Sequence, residues 1–264
     1  MRLATIIDGG LATPVVVHDD RVLPIAQPLN ELAARGLGGL RRVEVWVDAQ
    51  PATSWRPLDR VRLGPAVADP GAIYTVGLNY DGPGAAPRPE RPLIYAKVPA
   101  SVGAPGITLA WDRRLTDNVD AECELGVVMG AGGAVFGYTI VNDVSSRDPW
   151  LDGDQWLLGK SMPGFCPVGP WVVTADELDP GDLRHGCTIN GEPIQDGRTS
   201  DMRFSIAEII AFVGRHLTLR AGDLIATGTP VRLASPPGPD RHLEPGDVVT
   251  CWIEGIGELT TQVA

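Results

Sequence analysis

The chain has 264 residues, of which 44% are hydrophobic and 21% charged, a balance that excludes a disordered polymer and suffices for a real buried core. Its formal charge of −11 argues against nucleic acid or an anionic membrane surface as a partner, because both are polyanions. No apolar run approaches the roughly 20 residues needed to span a bilayer, and the opening MRLATIIDGG lacks the layout of a secretory leader, so a cytoplasmic location is expected.

Residues 1–70 read as a small N-terminal domain. Short strands (LATIID, TPVVVHD, VEVWV) alternate with one helical piece near PLNELAARG, and the turn-rich VADPGA closes the segment. Residues 71–264 read as a second, β-rich domain. Short Val/Ile-rich runs (IYTVGLNY, LIYAKV, CELGVVMG, VFGYTIVND, WVVTADEL, LIATGTP, DVVTCWIEGIGEL) are separated by turn signals, which predicts mostly antiparallel pairing and an α+β, β-rich fold class. Asn190-Gly191 suits a type I′ hairpin turn. One helix is well specified in FSIAEIIAFVGRHLTL, where Ser205 and Glu208 form a capping box and Ile206, Ile209, Ile210, Val213 and Leu217 recur at helical spacing. His216, at the end of that helix, reads as structural. The proline-rich 231–242 segment reads as a surface loop. Cys123, Cys166, Cys187 and Cys251 form no CxxC pair and read as reduced, small apolar residues.

The stretch VDAECELGVVMG, 119–130, carries three acids in alternation, so Asp120, Glu122 and Glu124 share one face of an extended strand. A wet-faced amphipathic strand would account for them; so would half of a metal site. Asp143 ends the next apolar strand, VFGYTIVND, and antiparallel pairing would bring it opposite Glu122 and Glu124. Three carboxylates without His or Cys suit a hard cation, Mg²⁺ or Mn²⁺.

GLNY (77–80), AECELGVVMG, GYTIVNDVSSRD (137–148), GKSMPGFCPVGPWVVT (159–174), INGEPIQDGRTSDMRFS (189–205) and ATGTP (226–230) occur in order, and together they resemble the fumarylacetoacetate hydrolase family from about residue 60 onward. The resemblance implies a rolled, mixed β-sheet catalytic domain, a small N-terminal domain and a homodimer. It implies Glu122, Glu124 and Asp143 as ligands of Mg²⁺ or Mn²⁺, with Asp120 solvated or supporting. Lys160 and Arg147 match catalytic positions, and Lys97, Thr229 and Tyr80 match positions lining the substrate pocket. The substrates so implied are 2-oxo and 1,3-dicarbonyl acids, which pass through an enolate to C–C hydrolysis, decarboxylation or isomerisation.

Two departures bear on the reaction. Hydrolytic and decarboxylating members usually carry His-x-x-Glu shortly after GLNY, but here Pro83 and Ala86 occupy those places in GLNYDGPGAAPRPERP. The glycines and prolines of that segment also disfavour a lid helix. A glutamine expected after the SARD-like motif is Trp150, a poor amide substitute and a good apolar wall for the substrate. Asp81, Glu90 and His242 are the alternative sources of a base. These features favour an isomerase, tautomerase or decarboxylase-type lyase acting on a small oxo acid. A C–C hydrolase with another means of activating water, or a metal-binding homologue without activity, are the alternatives.

Overall fold

The computed structural model describes residues 1–233 and 241–264, so residues 234–240 of the expected surface loop lie outside the described residues. The fold is α+β and β-rich, as expected. A twelve-stranded sheet runs, along its main path, through Arg56–Pro57, Arg21–Pro24, Leu11–His18, Arg2–Asp8, Cys166–Thr174, Val135–Asn142, Cys123–Met129, Leu224–Ala226, Ile73–Gly77 and Leu93–Lys97. Every pair on that path is antiparallel except Leu224–Ala226 against Ile73–Gly77. The strands of the first 70 residues join this sheet directly, Arg2 opposite Val173 and Leu3 opposite Val172. A second sheet orders Glu192–Arg198, Arg184–Ile189, Val248–Ile253, Gly257–Val263 and Thr108–Leu109.

Strand alternation divides the large sheet between two cores. Leu125, Val127 and Ile140 enter a core shared with Cys187, Val249 and Cys251 of the second sheet. Val128, Val141 and Val172 point the other way and pack on Leu32, Leu40 and Val43 of two N-terminal helices, Leu29–Arg35 and Leu37–Asp48. Each fully buried aliphatic side chain contributes about 1.5–3 kcal/mol, so both faces of the central strands are well anchored.

One expected strand is corrected. VEVWV is the second half of the helix Leu37–Asp48. Its β-branched residues suit a strand locally, but Leu40, Val43 and Val47 fall on one helical face and meet the sheet, leaving Val45 and Trp46 exposed. Tertiary burial overrides the β-propensity here.

Other local expectations hold. The helix Ile206–Gly214 begins at a reciprocal box, with Glu208 N–H donating to Ser205 Oγ and Ser205 N–H donating to the Glu208 carboxylate. Ile209 and Val213 are buried, whereas Leu217 lies beyond the helix end and is exposed. Asn190 and Gly191 both have positive φ, 54° and 83°, as a type I′ turn requires. All four cysteines are buried and unpaired. Among the described residues no helix is long and apolar enough to cross a membrane.

The strand Val135–Asn142 delivers Asp143 to the site, and its pairing with Cys166–Thr174 needs glycine at 137. A Cβ there would stand 2.5 Å from the Val173 carbonyl oxygen and 2.7 Å from Val172 Cγ1. Gly137→Ala is expected to destabilise the protein by about 1–3 kcal/mol, read as a lowered urea midpoint at unchanged slope.

Candidate metal centre and its cavity

The pairing of Cys123–Met129 with Val135–Asn142 sets Cys123 opposite Asn142 and Glu124 opposite Val141. Continuing that register by one residue places Asp143 beside Glu122, and Asp143 N–H donates to the Glu122 carbonyl at 2.9 Å. Carboxylate oxygens of Glu122, Glu124 and Asp143 all lie within 4.8 Å of one another. Glu124 and Asp143 are buried, and Glu122 is partly so.

The expected continuous strand 119–130 is interrupted. Val119–Asp120 pairs separately with Ser145–Ser146, and the strand resumes at Cys123. Asp120 therefore stands outside the three-carboxylate cluster while still lining the same cavity. The edge of the resumed strand is covered by the ATGTP turn. Thr227 N–H and Oγ1 both donate to Leu125 O, and Gly228 N–H donates to the Glu124 carboxylate at 2.8 Å. Thr229 Oγ1 donates to Cys123 O. Gly228 has φ of +95°, and a Cβ there would meet Val76 O at 2.9 Å, so the turn can approach this closely only with glycine.

Cations surround the acids. Lys97 Nζ donates to Asp143 Oδ1 at 2.6 Å and to Val144 O at 2.9 Å. Lys160 Nζ donates to Asp143 Oδ2 at 2.6 Å and to Ser145 Oγ at 2.8 Å, and lies 3.6 Å from Glu122. Arg147 Nη2 meets Glu122 at 2.5 Å. Burial alone would raise the Asp143 carboxyl, but Lys160 and Lys97 outweigh it and hold the group at about 2. Glu124 goes the opposite way. Burial, then the neighbouring Asp143 and Glu122 charges, push it well above the usual carboxylate range. Burial opposes the charge on Lys160, yet Asp143 and Glu122 raise its pKa, so its ammonium is a fixed charge.

The cavity, of about 360 Å³, opens on Glu122, Glu124, Asp143, Lys160 and Arg147 from one side and on the Leu78–Ala86 segment from another. Tyr80 and Thr229 line it, as expected for pocket residues. Lys97 does not: it lies behind Asp143, fully enclosed, and positions that carboxylate. Trp150 is also corrected. It is 61% exposed and lies outside the cavity, among Leu115, Leu151, Leu157 and Leu158. The aromatic wall comes instead from Trp156, stacked on Tyr95 with ring centroids 4.6 Å apart. Trp156 begins the short helix Trp156–Lys160, and the i, i+4 spacing to Lys160 was the available sign that both share a face.

Three further lining residues lay within quoted motifs or flanked them without a role. Gln195 ties the strand edge together, accepting from Cys123 N–H and donating to Thr229 Oγ1. Arg203 is nearly fully buried and pins the segment after GLNY, donating to Leu78 O, Ala86 O and the Asp81 carboxylate. Arg232 bonds to Asp120. The candidate bases Asp81, Glu90 and His242 are absent from the described lining.

A sequence model of the fumarylacetoacetate hydrolase C-terminal domain matches residues 72–264. The chain belongs to the fumarylacetoacetate hydrolase family. Among solved structures it is similar to a fumarylacetoacetate hydrolase from psychrophilic Exiguobacterium antarcticum, with 33% identity, a TM-score of 0.86, and coverage of 100% of this chain and 99% of that one. It is also similar to 5-carboxymethyl-2-hydroxymuconate delta-isomerase from Mycobacterium smegmatis (30% identity, TM-score 0.80, coverage 100% and 99%). A third similar structure is maleylpyruvate hydrolase from Sphingobium sp. SYK-6 in complex with manganese(II) and pyruvate (27% identity, TM-score 0.82, coverage 100% and 99%). This family thus includes hydrolases and isomerases on one scaffold.

The acid cluster fits a hard divalent cation. It offers only carboxylate oxygens, and burial together with the Asp143 and Glu122 charges drives Glu124 toward its neutral form, which Lys160 offsets only in part. Lys97→Met would leave buried Asp143 with one ammonium partner. Its unfolding free energy is expected to fall by about 3 kcal/mol in urea titration, because one half of a buried ion pair is left behind.

Proposed function

We propose that the protein is a divalent-metal-dependent enzyme that stabilises the enolate of a 2-oxo or 1,3-dicarbonyl acid, with isomerase, tautomerase or decarboxylase-type chemistry in place of ordinary hydrolysis. The observation that carries this reading is a carboxylate triad and a buried lysine in a cavity whose described lining holds no histidine. The one lining acid outside the triad, Asp120, is held by Arg232 and faces Arg147. Neither a histidine nor a free carboxylate outside the triad therefore stands on the described lining to activate water.

Glu122, Glu124 and Asp143 would hold Mg²⁺ or Mn²⁺, which when bound supplies Lewis-acid polarisation of an adjacent carbonyl. The chain's own contribution is charge and shape. Lys160 and Arg147 are fixed by hydrogen bonds or ion pairs before substrate arrives, so they can stabilise developing negative charge without reorganising. Lys97 stays behind Asp143 and holds it. Trp156 and Tyr95 give an apolar wall, and Arg203 fixes the Leu78–Ala86 side of the cavity where a lid helix is absent. The four lining acids are matched by Arg147, Lys160, Arg203 and Arg232, and a divalent cation then tips the cavity toward anionic ligands.

A second reading, a C–C hydrolase that activates water by other means, draws support from the likeness to maleylpyruvate hydrolase. Proton NMR of the Mg²⁺-loaded protein in D₂O with 2-oxo and 1,3-dicarbonyl acids separates the two. Deuterium exchange, double-bond migration or loss of CO₂ is expected without hydrolytic fragmentation, and Lys160→Met should slow it at least 100-fold. Release of two acids would instead favour the hydrolase. Calorimetric titration with Mn²⁺ is expected to give one site, lost in Glu124→Gln; full stoichiometric binding by that variant would contradict the ligand assignment.

A further inference from the structure

The strap that follows GLNY, residues 78–88, has neither helix nor strand beyond one bridge at Tyr80, yet it is tied down along its whole length. Its entry is laced to the segment 201–204. Tyr80 bridges to Met202, Asp81 N–H donates to Asp201 O at 3.1 Å, and Arg203 N–H donates to Asn79 O at 2.7 Å. The buried Asn79 amide donates to Phe204 O and Thr227 O and accepts from Phe204 N–H. Leu78 stands at φ of +55°, a left-handed conformation that leucine holds only where its surroundings enforce it.

Two arginines fix the rest. The enclosed Arg203 guanidinium gives one nitrogen to each of three points: Nη1 to Leu78 O at 3.0 Å, Nε to the Asp81 carboxylate at 2.8 Å, and Nη2 to Ala86 O at 2.7 Å. One rigid, planar group thus spans both ends of the loop, a geometry that the single nitrogen of a lysine does not reproduce. Arg88 Nη2 donates to Arg203 O at 2.6 Å, and its guanidinium lies 4.9 Å from the centre of the Phe204 ring. Gly82 rests against Val231, whose Cγ2 would stand 3.1 Å from a Cβ there. The strap so held presents Leu78, Gly84, Ala85 and Ala86 to the cavity. None of these contacts uses a group of the carboxylate triad.

We propose that Arg203 is a positioning residue that latches residues 78–88 as a pre-closed wall of the cavity, so that a ligand meets an ordered surface and draws no lid over itself. A wall already ordered gives up no further chain entropy on binding, so its order does not couple to ligand affinity. The inference rests on the reading of this cavity as the ligand site.

The test is limited proteolysis with pancreatic elastase, which cuts after small residues and finds Ala85 in the strap. It is run on the Mn²⁺-loaded full chain with and without oxalate, and the cuts are located by mass spectrometry. Wild type is expected to resist cleavage at Ala85, at a rate that oxalate leaves unchanged. Arg203→Met should be cut there at least tenfold faster, and oxalate should now slow the cut. Calorimetry on that variant should show oxalate binding weakened at least tenfold at unchanged Mn²⁺ affinity, because the ligand must order the wall that the arginine held. Arg203→Lys should recover part of the resistance. Wild-type cleavage in Arg203→Met would overturn the proposal, as would cuts throughout the chain that oxalate does not slow, the signature of a purely structural arginine. So would a wild-type strap that is cut readily and protected by oxalate, since that strap is a lid closing on its ligand. If Arg203→Met does not fold, Asp81→Asn and Arg88→Ala, at exposed positions, take its place. Each should speed the cut at Ala85 at least threefold, and wild-type rates in both would overturn the latch. Failure of oxalate to bind wild type would remove the ligand-site reading alone, and cleavage in the variants would still decide the latch.

Discussion

Asp143 is a fully buried carboxylate between two ammonium groups, and the site is arranged around that contact. Lys97 takes one oxygen and Lys160 the other, each at 2.6 Å. Moving three such charges out of water is costly, and only close geometry with further hydrogen bonds offsets the cost. Both lysines have those bonds, Lys97 to Val144 O and Lys160 to Ser145 Oγ. The ion cluster in turn needs two distant segments to meet. Leu93–Lys97 lies at one end of the large sheet, and Trp156–Lys160 is a short helix packed beside it, so the packing of these two segments and the electrostatics of the site depend on one another.

The neighbouring carboxylates divide the work. Asp143 is kept ionised by its lysines, whereas Glu124, buried against two like charges, is pushed toward its neutral form. One acid is thus matched by the protein's own cations, whereas the other is only partly offset, by Lys160. On the proposed reading that asymmetry suits a metal site, and a bound cation would account for an acid in a strand whose other residues are buried in the core.

Much of this was legible in the sequence because it rests on short-range pattern. Alternation placed Glu122 and Glu124 on one side, and consecutive antiparallel strands placed Asp143 beside them. The capping box located the helix Ile206–Gly214, and Asn190-Gly191 located a hairpin. What was not legible depends on long-range packing. VEVWV is helical because Leu40 and Val43 find the sheet, a partner that propensity cannot see. Trp150 was expected to be a wall because of its place after the SARD-like motif, but the chain turns it outward and Trp156 supplies the wall. Arg203 and Arg232 were given no role from the sequence, since the carboxylates they pair with, Asp81 and Asp120, lie more than a hundred residues away. Lys97 was read as a pocket residue, and its actual place behind Asp143 follows from the depth of the sheet.

On the proposed reading, Glu122, Glu124 and Asp143 would hold a divalent cation beside Lys160, which donates to Asp143 at 2.6 Å and lies 3.6 Å from Glu122. Anomalous diffraction from crystals grown with Mn²⁺ and oxalate, a planar dianion resembling a 2-oxo-acid enolate, tests it most directly. The account predicts one strong manganese peak among these three carboxylates, with oxalate density on its cavity side within reach of Lys160. A peak at other residues, or none at saturating Mn²⁺, would contradict it.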